Sequence, residues 1–270
     1  MAKRFAIIGY GAITDEMVRT LDAHRTLGEL AGVLVRPARL AEAKRNAAGR
    51  FAVVDSIEAL LALRPDVVGE CAGHGAMREY GAALLAAGVD LVCSSVGVLA
   101  DERFARELAG AAKKGARLLI PSGAVAGIDG LLAARTAGLR SVTYTSVKPP
   151  VAWHGTPGED KVRAAGNRRL TFFEGSAREA ALAYPQNVNV GATVALASLG
   201  LDRTRVELVS DPAASGPIGI VTAAGDFGTF RFEALAYASP RNPKTSLLTA
   251  HSMLLALREG ICFSPALDAS

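Results

Sequence analysis

The chain begins with an apolar run of β-forming residues that ends in a Gly-x-Gly turn and passes at once into helix-forming residues. The run is Arg4–Ile8, and the turn is followed directly by Ala12 and Ile13. Gly9 permits a tight turn, Gly11 lets backbone N–H groups approach a pyrophosphate, and the helix N-terminus adds partial positive charge. The position of the turn between a strand and a helix therefore predicts a dinucleotide-binding loop. The alternative is an ordinary strand-to-helix turn.

The third glycine of the usual fingerprint is absent, because Thr14 stands in its place. Threonine is bulkier than glycine, so we expect the first helix to pack slightly further from the first strand.

Strands and helices alternate over the first part of the chain, which is typical of right-handed βαβ units. After the first helix, the predicted strands are Glu29–Arg36, Phe51–Val54, Asp66–Ala72, Asp90–Ser95 and Ala116–Pro121, with helices between them. We therefore predict the α/β class: a Rossmann-type doubly wound parallel sheet over residues 1–121, plus a smaller α+β domain.

The end of the second predicted strand bears on nucleotide choice. An acidic residue usually lies there to bind the ribose hydroxyls of NAD, whereas this chain has Arg36. A guanidinium suits a 2′-phosphate, so the position favours NADP, or tolerance of NADP and NAD. The alternative is that Arg36 points into solvent.

Small residues lie at the carboxyl end of the fourth strand, where a ribose and a nicotinamide would lie close to the backbone. They are Cys71, Ala72 and Gly73, and His74 comes next. We take all four as candidate cofactor-binding residues, with helix capping as the alternative role of His74.

The pattern changes after the glycine-rich segment 121–127. Period-two segments at residues 141–148, 205–210, 218–223 and 229–238, with helices among them, predict an antiparallel sheet in an α+β domain for substrate binding and dimerisation over 122–240. Residues 241–270 are predicted to contain a C-terminal helix, Lys244–Glu259, that returns to the Rossmann domain. Its apolar side includes His251, expected to be a core histidine.

Composition excludes several classes of function. The 270 residues carry a net charge of +4 with no dense basic run, so no nucleic-acid partner is indicated. Three widely spaced cysteines suggest neither a disulfide framework nor a metal site, and the apolar runs are too short to span a bilayer. No signal peptide precedes the first strand, and we expect a cytoplasmic protein.

Several segments resemble the L-aspartate dehydrogenase family. They include Phe173-Glu174-Gly175-Ser176, Asn187-Val188-Asn189-Val190, Asn242-Pro243-Lys244-Thr245-Ser246, Lys148-Pro149-Pro150 and the glycine-rich segment 121–127. The resemblance implies an NAD- or NADP-dependent enzyme, a homodimer, that oxidises L-aspartate to iminoaspartate. The imine hydrolyses to oxaloacetate and ammonia, or feeds NAD biosynthesis. The substrate class would be a small dicarboxylic amino or oxo acid. By resemblance, Ala124 and Asn189 contact the cofactor.

The chain departs from the family at the active-site histidine, whose position falls on Gly219. Imine hydration needs an acid or base that titrates near neutrality, a role usually filled by histidine. His74 and His154 are the candidate replacements, with a solvated loop histidine as the alternative for His154. Lys244, expected at a helix start, is a candidate partner of a substrate carboxylate, or simply a first-turn lysine.

Three functions remain open from the sequence. The first is an aspartate-dehydrogenase-like oxidoreductase, the second is a dehydrogenase of another small amino, imino or oxo acid, and the third is a non-catalytic NAD(P)-binding sensor. The substrate profile separates the first two, and nucleotide binding without turnover marks the third.

Overall fold

The computed structural model describes residues 4–24, 28–112, 115–239 and 242–265, and for 238, 239 and 242–245 it describes the backbone alone. These residues form two compact units. The first comprises the described residues of 1–95, 102–121 and 249–270, and the second comprises the described residues of 96–101 and 122–248. This division differs from the predicted domain boundaries at 96–101 and at 241–248.

The first 121 residues alternate between strands and helices as the sequence pattern predicts. The elements are β1 (Arg4–Ile8), α1 (Ala12–Ala23), β2 (Glu29–Leu34), α2 (Leu40–Ala47), β3 (Ala52–Val54), α3 (Ile57–Ala62), β4 (Val67–Glu70), α4 (His74–Ala86), β5 (Asp90–Cys93), α5 (Glu102–Ala111) and β6 (Leu118–Leu119). Short 3₁₀ turns cover Pro37–Arg39 and Val96–Ala100.

The six strands of the first unit form one parallel sheet in the order β3-β2-β1-β4-β5-β6. The strand order reverses direction between β1 and β4, which is the topological switch point where doubly wound sheets bind ligands. The predicted Rossmann-type sheet is therefore confirmed. Phe5 and Ala6 of β1, whose side chains point to opposite faces of the sheet, are both fully buried, as expected for a central strand covered on both faces.

The second unit combines helices with a five-stranded sheet. Its elements are α6 (Ile128–Thr136), β7 (Leu139–Lys148), α7 (Glu159–Ala165), β8 (Leu170–Ser176), α8 (Ala177–Ala183), α9 (Asn189–Leu196), β9 (Arg205–Ser210), β10 (Ile218–Gly225), β11 (Gly228–Leu235), β12 (Ala238–Ser239) and β13 (Asn242–Ser246). The sequence pattern did not predict α6, α7 or β8.

The second sheet has the order β11-β10-β7-β9-β8. The prediction that it is antiparallel was wrong, because β7 and β9 run parallel while the other pairs are antiparallel. The chain between β7 and β9 holds α7, β8, α8 and α9, and this long connection brings β9 back beside β7 in the same direction.

The last helix, α10 (Leu247–Glu259), begins three residues later than predicted. Lys244 consequently lies in the short strand β13 and not in a first helical turn. Met253 and Leu257 of α10 are fully buried in the same apolar core as Phe5 and Ile7 of β1. His251 lies on the other side of the helix. Its side chain is 47% exposed, with Nε2 3.9 Å from Glu16 Oε1, so the expectation of a core histidine was wrong.

Candidate functional site

A cleft of about 440 Å³ opens at the carboxyl ends of β1, β2 and β4 in the first unit. Five of the predicted cofactor residues line it: Gly9, Gly11, Arg36, Cys71 and Ala72. Sequence reasoning did not assign the other lining side chains, among them Tyr10, Asn46, Glu79 and Tyr80. A nucleotide cleft of a doubly wound sheet is expected at this switch point.

Gly9 forms the tight turn at the base of the cleft. Its φ is +95°, and a Cβ there would lie 2.8 Å from Cβ of Ala72, so only glycine fits. Gly11 differs, because it has an ordinary φ of −105° and a Cβ on it would meet no atom within 4 Å. Open space beside Gly11 at the start of α1 fits a pyrophosphate, since the first helical N–H groups point there. Ala12 and Ile13 form that first turn.

Thr14 stands at the position of the third fingerprint glycine, and its hydroxyl has a hydrogen-bond partner. Its side chain is fully buried, and its hydroxyl donates to the Gly9 carbonyl oxygen at 2.8 Å. The hydroxyl therefore links α1 to the glycine turn. Burial raises the pKa of the Cys71 thiol, the nearby Glu70 carboxylate adds to this rise, and the Thr14 side chain opposes it.

Arginines border the cleft beyond the end of β2. Arg36 is exposed and lines the cleft together with Arg39 and Asn46. Arg39 forms an ion pair with Glu42 at 2.8 Å. Such a border provides hydrogen-bond donors for a phosphate, which is the reason to retain Arg36 as a candidate for a 2′-phosphate.

A buried carboxylate holds the turn after β4, and sequence reasoning gave it no role. Oε1 of Glu70 accepts from the backbone N–H groups of Ala72 and Gly73 at 2.7 and 2.6 Å, and Oε2 accepts from the Ser95 N–H at 3.1 Å. The Ser95 hydroxyl donates to Oε1 at 3.0 Å. Burial raises the pKa of Glu70, and these hydrogen bonds oppose that rise. A charged residue at the end of an apolar strand was the signal that could have revealed it.

The turn that Glu70 holds leads into α4. Gly73 precedes the helix with a φ of +107°, and His74 is the first helical residue and is partly buried. Gly73 and His74 follow the cleft-lining Ala72 directly in the chain, although they are not among the described residues that line the cleft.

A second group of candidate residues lies in the second unit, at the end of β7 and the start of α9. Lys148 Nζ lies 3.4 Å from the Asn187 carbonyl oxygen and 5.0 Å from the centre of the Trp153 ring. Oδ1 of Asn189 accepts from the backbone N–H of Gly97 at 2.9 Å, which ties α9 to the 3₁₀ turn. Ala124, partly buried, lies in a turn between Gly123 and Gly127, both with positive φ. The cofactor contacts of Ala124 and Asn189 stay predictions.

Gly219 lies on β10 beside the ring of Tyr144 on β7. A Cβ on Gly219 would lie 3.3 Å from the Tyr144 phenolic oxygen, and the three heavy atoms nearest to that position all belong to Tyr144. Tyr144 is buried, and its pKa is raised to about 12 by burial. The structure therefore brings a phenol, and no imidazole, to the position where the family resemblance expects a histidine.

The two catalytic candidates named from the sequence, His154 and Lys244, lie outside β7, the strand that carries Tyr144. The His154 side chain is 81% exposed, and its Nε2 lies 3.3 Å from Glu159 Oε1. Lys244 lies in β13, and its side chain is outside the described part of the structure. The catalytic roles of His154 and Lys244 stay predictions.

Two absences concern the described residues only. Within these ranges no helix has the length and apolar character that crossing a bilayer requires. No group of three or more His, Cys, Asp or Glu side chains in the same part of the chain has an arrangement that would hold a metal ion.

Comparisons with known proteins agree with this geometry. Residues 9–121 match the family model of the homoserine dehydrogenase NAD-binding domain, and residues 129–260 match that of the aspartate dehydrogenase C-terminal domain. L-aspartate dehydrogenase of Ruegeria pomeroyi is 44% identical over 259 residues, which cover 95% of this chain and 92% of that protein. L-aspartate dehydrogenase 2 of Bordetella pertussis is 42% identical over 269 residues, 96% and 97% of the two chains.

Solved structures give the same result. The crystal structure of aspartate dehydrogenase from Thermotoga maritima superposes with a TM-score of 0.72 at 26% identity, covering 95% of this chain and 96% of that one. A homoserine dehydrogenase from Thiobacillus denitrificans, at 15% identity and a TM-score of 0.62, shares the fold; it covers 94% of this chain and 72% of that one. The chain therefore belongs to the L-aspartate dehydrogenase family, whose members are NAD(P)-dependent oxidoreductases acting on a CH–NH2 group.

Proposed function

We propose that this protein is an NAD(P)-dependent L-aspartate dehydrogenase, which interconverts L-aspartate with oxaloacetate and ammonia through iminoaspartate. The observation that carries the proposal is the 44% identity to a curated L-aspartate dehydrogenase over 95% of the chain. The nucleotide cleft of the first unit and the Lys148–Asn189 region of the second unit are consistent with it.

The residues of the first unit fit a dinucleotide. The Gly9–Gly11 turn leaves room for a pyrophosphate at the N-terminus of α1, and Glu70 fixes the backbone of Ala72 and Gly73 at the opposite side of the switch point. When bound, the nicotinamide supplies the hydride acceptor. We propose NADP as the preferred form, because Arg36 and not a carboxylate follows β2.

Lys148 is the cation that we propose for a substrate carboxylate. It is partly buried at the end of β7, next to Asn187 and Trp153, so its ammonium group is held beside the segment that leads into α9. Two further features of the family, the homodimer and a place in NAD biosynthesis, are carried to this chain as proposals. A cytoplasmic location also stays a prediction.

Steady-state kinetics with the purified full-length chain tests the function. Oxidation of NADPH and NADH is followed by absorbance with oxaloacetate and ammonium, each substrate also being omitted in turn. Turnover that needs both substrates supports amination of oxaloacetate, and the nucleotide with the higher kcat/KM tests the NADP proposal. Nucleotide binding by fluorescence without turnover would contradict the proposal.

The presence of glycine at residue 219 is the observation that favours a second candidate function. A glycine at the position of the family's histidine is compatible with a different small amino or oxo acid as substrate, or with a nucleotide-binding sensor. A panel of 2-oxo acids with ammonium, assayed with the same protein, distinguishes them. Turnover of another acid with a higher kcat/KM than oxaloacetate would establish the first, and binding without any turnover the second.

A further inference from the structure

The face of the second sheet that carries Gly219 holds few groups that can exchange a proton. Between Val142 and Lys148 of β7, the side chains on this face are Val142, Tyr144, Ser146 and Lys148, because alternate strand residues share a face. On the same face, the residues of β8, β9, β10 and β11 that are in register with these four are glycine, alanine, serine or apolar residues. Tyr144 and Lys148 are thus the ionisable side chains among these described strand positions.

α8 packs on β8, β9 and α9, and its one acidic side chain, Glu179, is exposed and accepts from the backbone N–H of Ser176 at the start of its own helix. The other helices near this face add no acid that is directed at Tyr144. α9 packs on the Tyr144 ring, since a Cβ on Gly191 would lie 3.2 Å from Tyr144 Cδ1, and α9 contains no ionisable residue. α6 packs on Phe232 of β11 through Gly127 and Gly130, and its two ionisable side chains, Asp129 and Arg135, are exposed.

The Tyr144 hydroxyl is directed at the side-chain position that Gly219 leaves open. The distance from the phenolic oxygen to a Cβ on Gly219 would be 3.3 Å, and Gly219 itself is partly exposed. Gly219 is paired with Ser146, and Tyr144 with the next residue of β10 on the same face, Val221, so Tyr144 and Gly219 are diagonal neighbours. Burial raises the pKa of Tyr144 and a side-chain interaction with Ser146 lowers it by less, so the phenol keeps its proton at neutral pH and can donate it.

We propose that the Tyr144 hydroxyl is the acid and hydrogen-bond donor of the reaction, acting on the oxygen at the substrate α-carbon from the place that a residue-219 side chain would take. This inference rests on the proposed function and deepens it.

The proton transfer balances in the amination direction. Ammonia adds its nitrogen to the carbonyl carbon of the 2-oxo acid, the carbonyl π-electrons move to oxygen, and Tyr144 gives its proton to that oxygen. The added nitrogen returns a proton to the phenolate, which yields the neutral carbinolamine and restores Tyr144. A second donation from Tyr144 lets the hydroxyl leave as water and forms the imine, with the nitrogen again supplying the proton that restores the phenol. The imine then accepts hydride at carbon and a solvent proton at nitrogen.

The Tyr144→Phe variant tests this role, because it removes one oxygen and keeps the ring that packs on α9. Loss of a general acid typically costs about 10²–10⁴-fold in rate, so we expect kcat to fall by that factor while the nucleotide dissociation constant stays within about 2-fold of wild type. Tyr184→Phe is the matched control. Tyr184 is also buried in the second unit, where its ring packs on Phe172 and Phe173, and its variant is expected to keep wild-type kcat.

The Tyr144→Phe, Gly219→His double variant gives a second readout. Removing the phenolic oxygen opens the space that a histidine at residue 219 needs, so the double variant is expected to regain at least about 10-fold of the lost kcat. Its rate relative to wild type should fall as the pH rises through about 6.5, where an imidazolium loses its proton. Burial raises the pKa of the wild-type phenol to about 12, so the wild-type rate should show no such fall near neutral pH.

Each outcome decides the inference. Equal kcat of the Tyr144→Phe and Tyr184→Phe variants would overturn the role of Tyr144 and leave the proposed function intact. Lack of turnover in the wild type would overturn both. If Tyr144→Phe does not fold, Gly219→Ala replaces it, because a methyl group 3.3 Å from the phenolic oxygen crowds the donor; an unchanged kcat in that variant would overturn the inference.

Discussion

The Thr14 hydroxyl donates to the Gly9 carbonyl oxygen at 2.8 Å, so the residue in the third fingerprint position stabilises the turn made by the first. This contact explains how a larger residue is accepted where the fingerprint has glycine. The larger size of threonine had led only to the expectation that α1 packs slightly further from β1.

Thr14→Val is expected to lower the free energy of unfolding by about 1–3 kcal/mol, since it keeps the shape and leaves the partly buried Gly9 carbonyl without this donor. Urea denaturation measures the change. Thr20→Val is the matched control. The Thr20 hydroxyl donates to the backbone carbonyl oxygen of Glu16 within the same helix, and Thr20 is partly exposed. An equal loss in both variants would contradict a special role for the Thr14 contact.

Replacement of the two glycines of the turn should have separable effects. Gly9→Ala is expected to destabilise the nucleotide-free protein, because φ is +95° and the new Cβ would lie 2.8 Å from Ala72 Cβ. Gly11→Ala is expected to leave the melting temperature within about 2 °C and to weaken nucleotide binding by at least about 10-fold, since its Cβ would fill the space of the pyrophosphate. Melting curves and nucleotide titrations of both variants check this, and wild-type affinity in Gly11→Ala would place the pyrophosphate elsewhere.

Arg36→Glu is expected to raise KM for NADPH by about 10- to 100-fold and to change KM for NADH little, because it removes a charge-assisted hydrogen bond worth about 1.5–3 kcal/mol. Steady-state kinetics with both nucleotides measures this. Arg45→Glu makes the same charge change at an exposed position of α2 outside the cleft lining and serves as the control. A similar change in KM for both nucleotides in Arg36→Glu would exclude a contact with the 2′-phosphate.

Glu70 should give stability a specific pH dependence. Burial raises its pKa in the folded protein above the ordinary value of 4.5, so the unfolded chain ionises first as the pH rises. The contribution of Glu70 is therefore fully present below about pH 4.5 and declines as the pH rises toward the folded pKa. Glu70→Gln should remove this decline, which urea denaturation between pH 4 and 8 would show. A steeper decline in the variant would mean that the four hydrogen bonds outweigh burial.

His154→Ala is expected to leave kcat within about 2-fold of wild type, because the imidazole is mostly in solvent and contacts only Glu159 among the groups described around it. The coupled assay with oxaloacetate and ammonium measures it. A loss of more than about 100-fold would restore His154 as the replacement acid and would argue against Tyr144.

Local pattern was sufficient for the first unit. Gly9, Gly11 and the alternating elements predicted a parallel sheet with its nucleotide cleft, because successive right-handed βαβ units place their strands side by side in one parallel sheet. The cleft residues after β4 followed from the same rule, that the carboxyl ends of parallel strands meet at one edge.

The second unit depended on contacts that sequence spacing does not define. The parallel pairing of β7 with β9 follows a connection that holds α7, β8, α8 and α9, so no regular strand–helix alternation predicts it. Lys244 was assigned to a helix because Asn242-Pro243 looks like a helix start, whereas pairing with β12 makes it a strand.

The sequence by itself determined the family, the nucleotide fold and the absence of a histidine at residue 219. Only the tertiary structure showed which group faces that glycine. Tyr144 lies 75 positions earlier in the chain, and the β7–β10 register alone brings its hydroxyl next to Gly219, because proton transfer depends on the distance between atoms and not on separation along the chain.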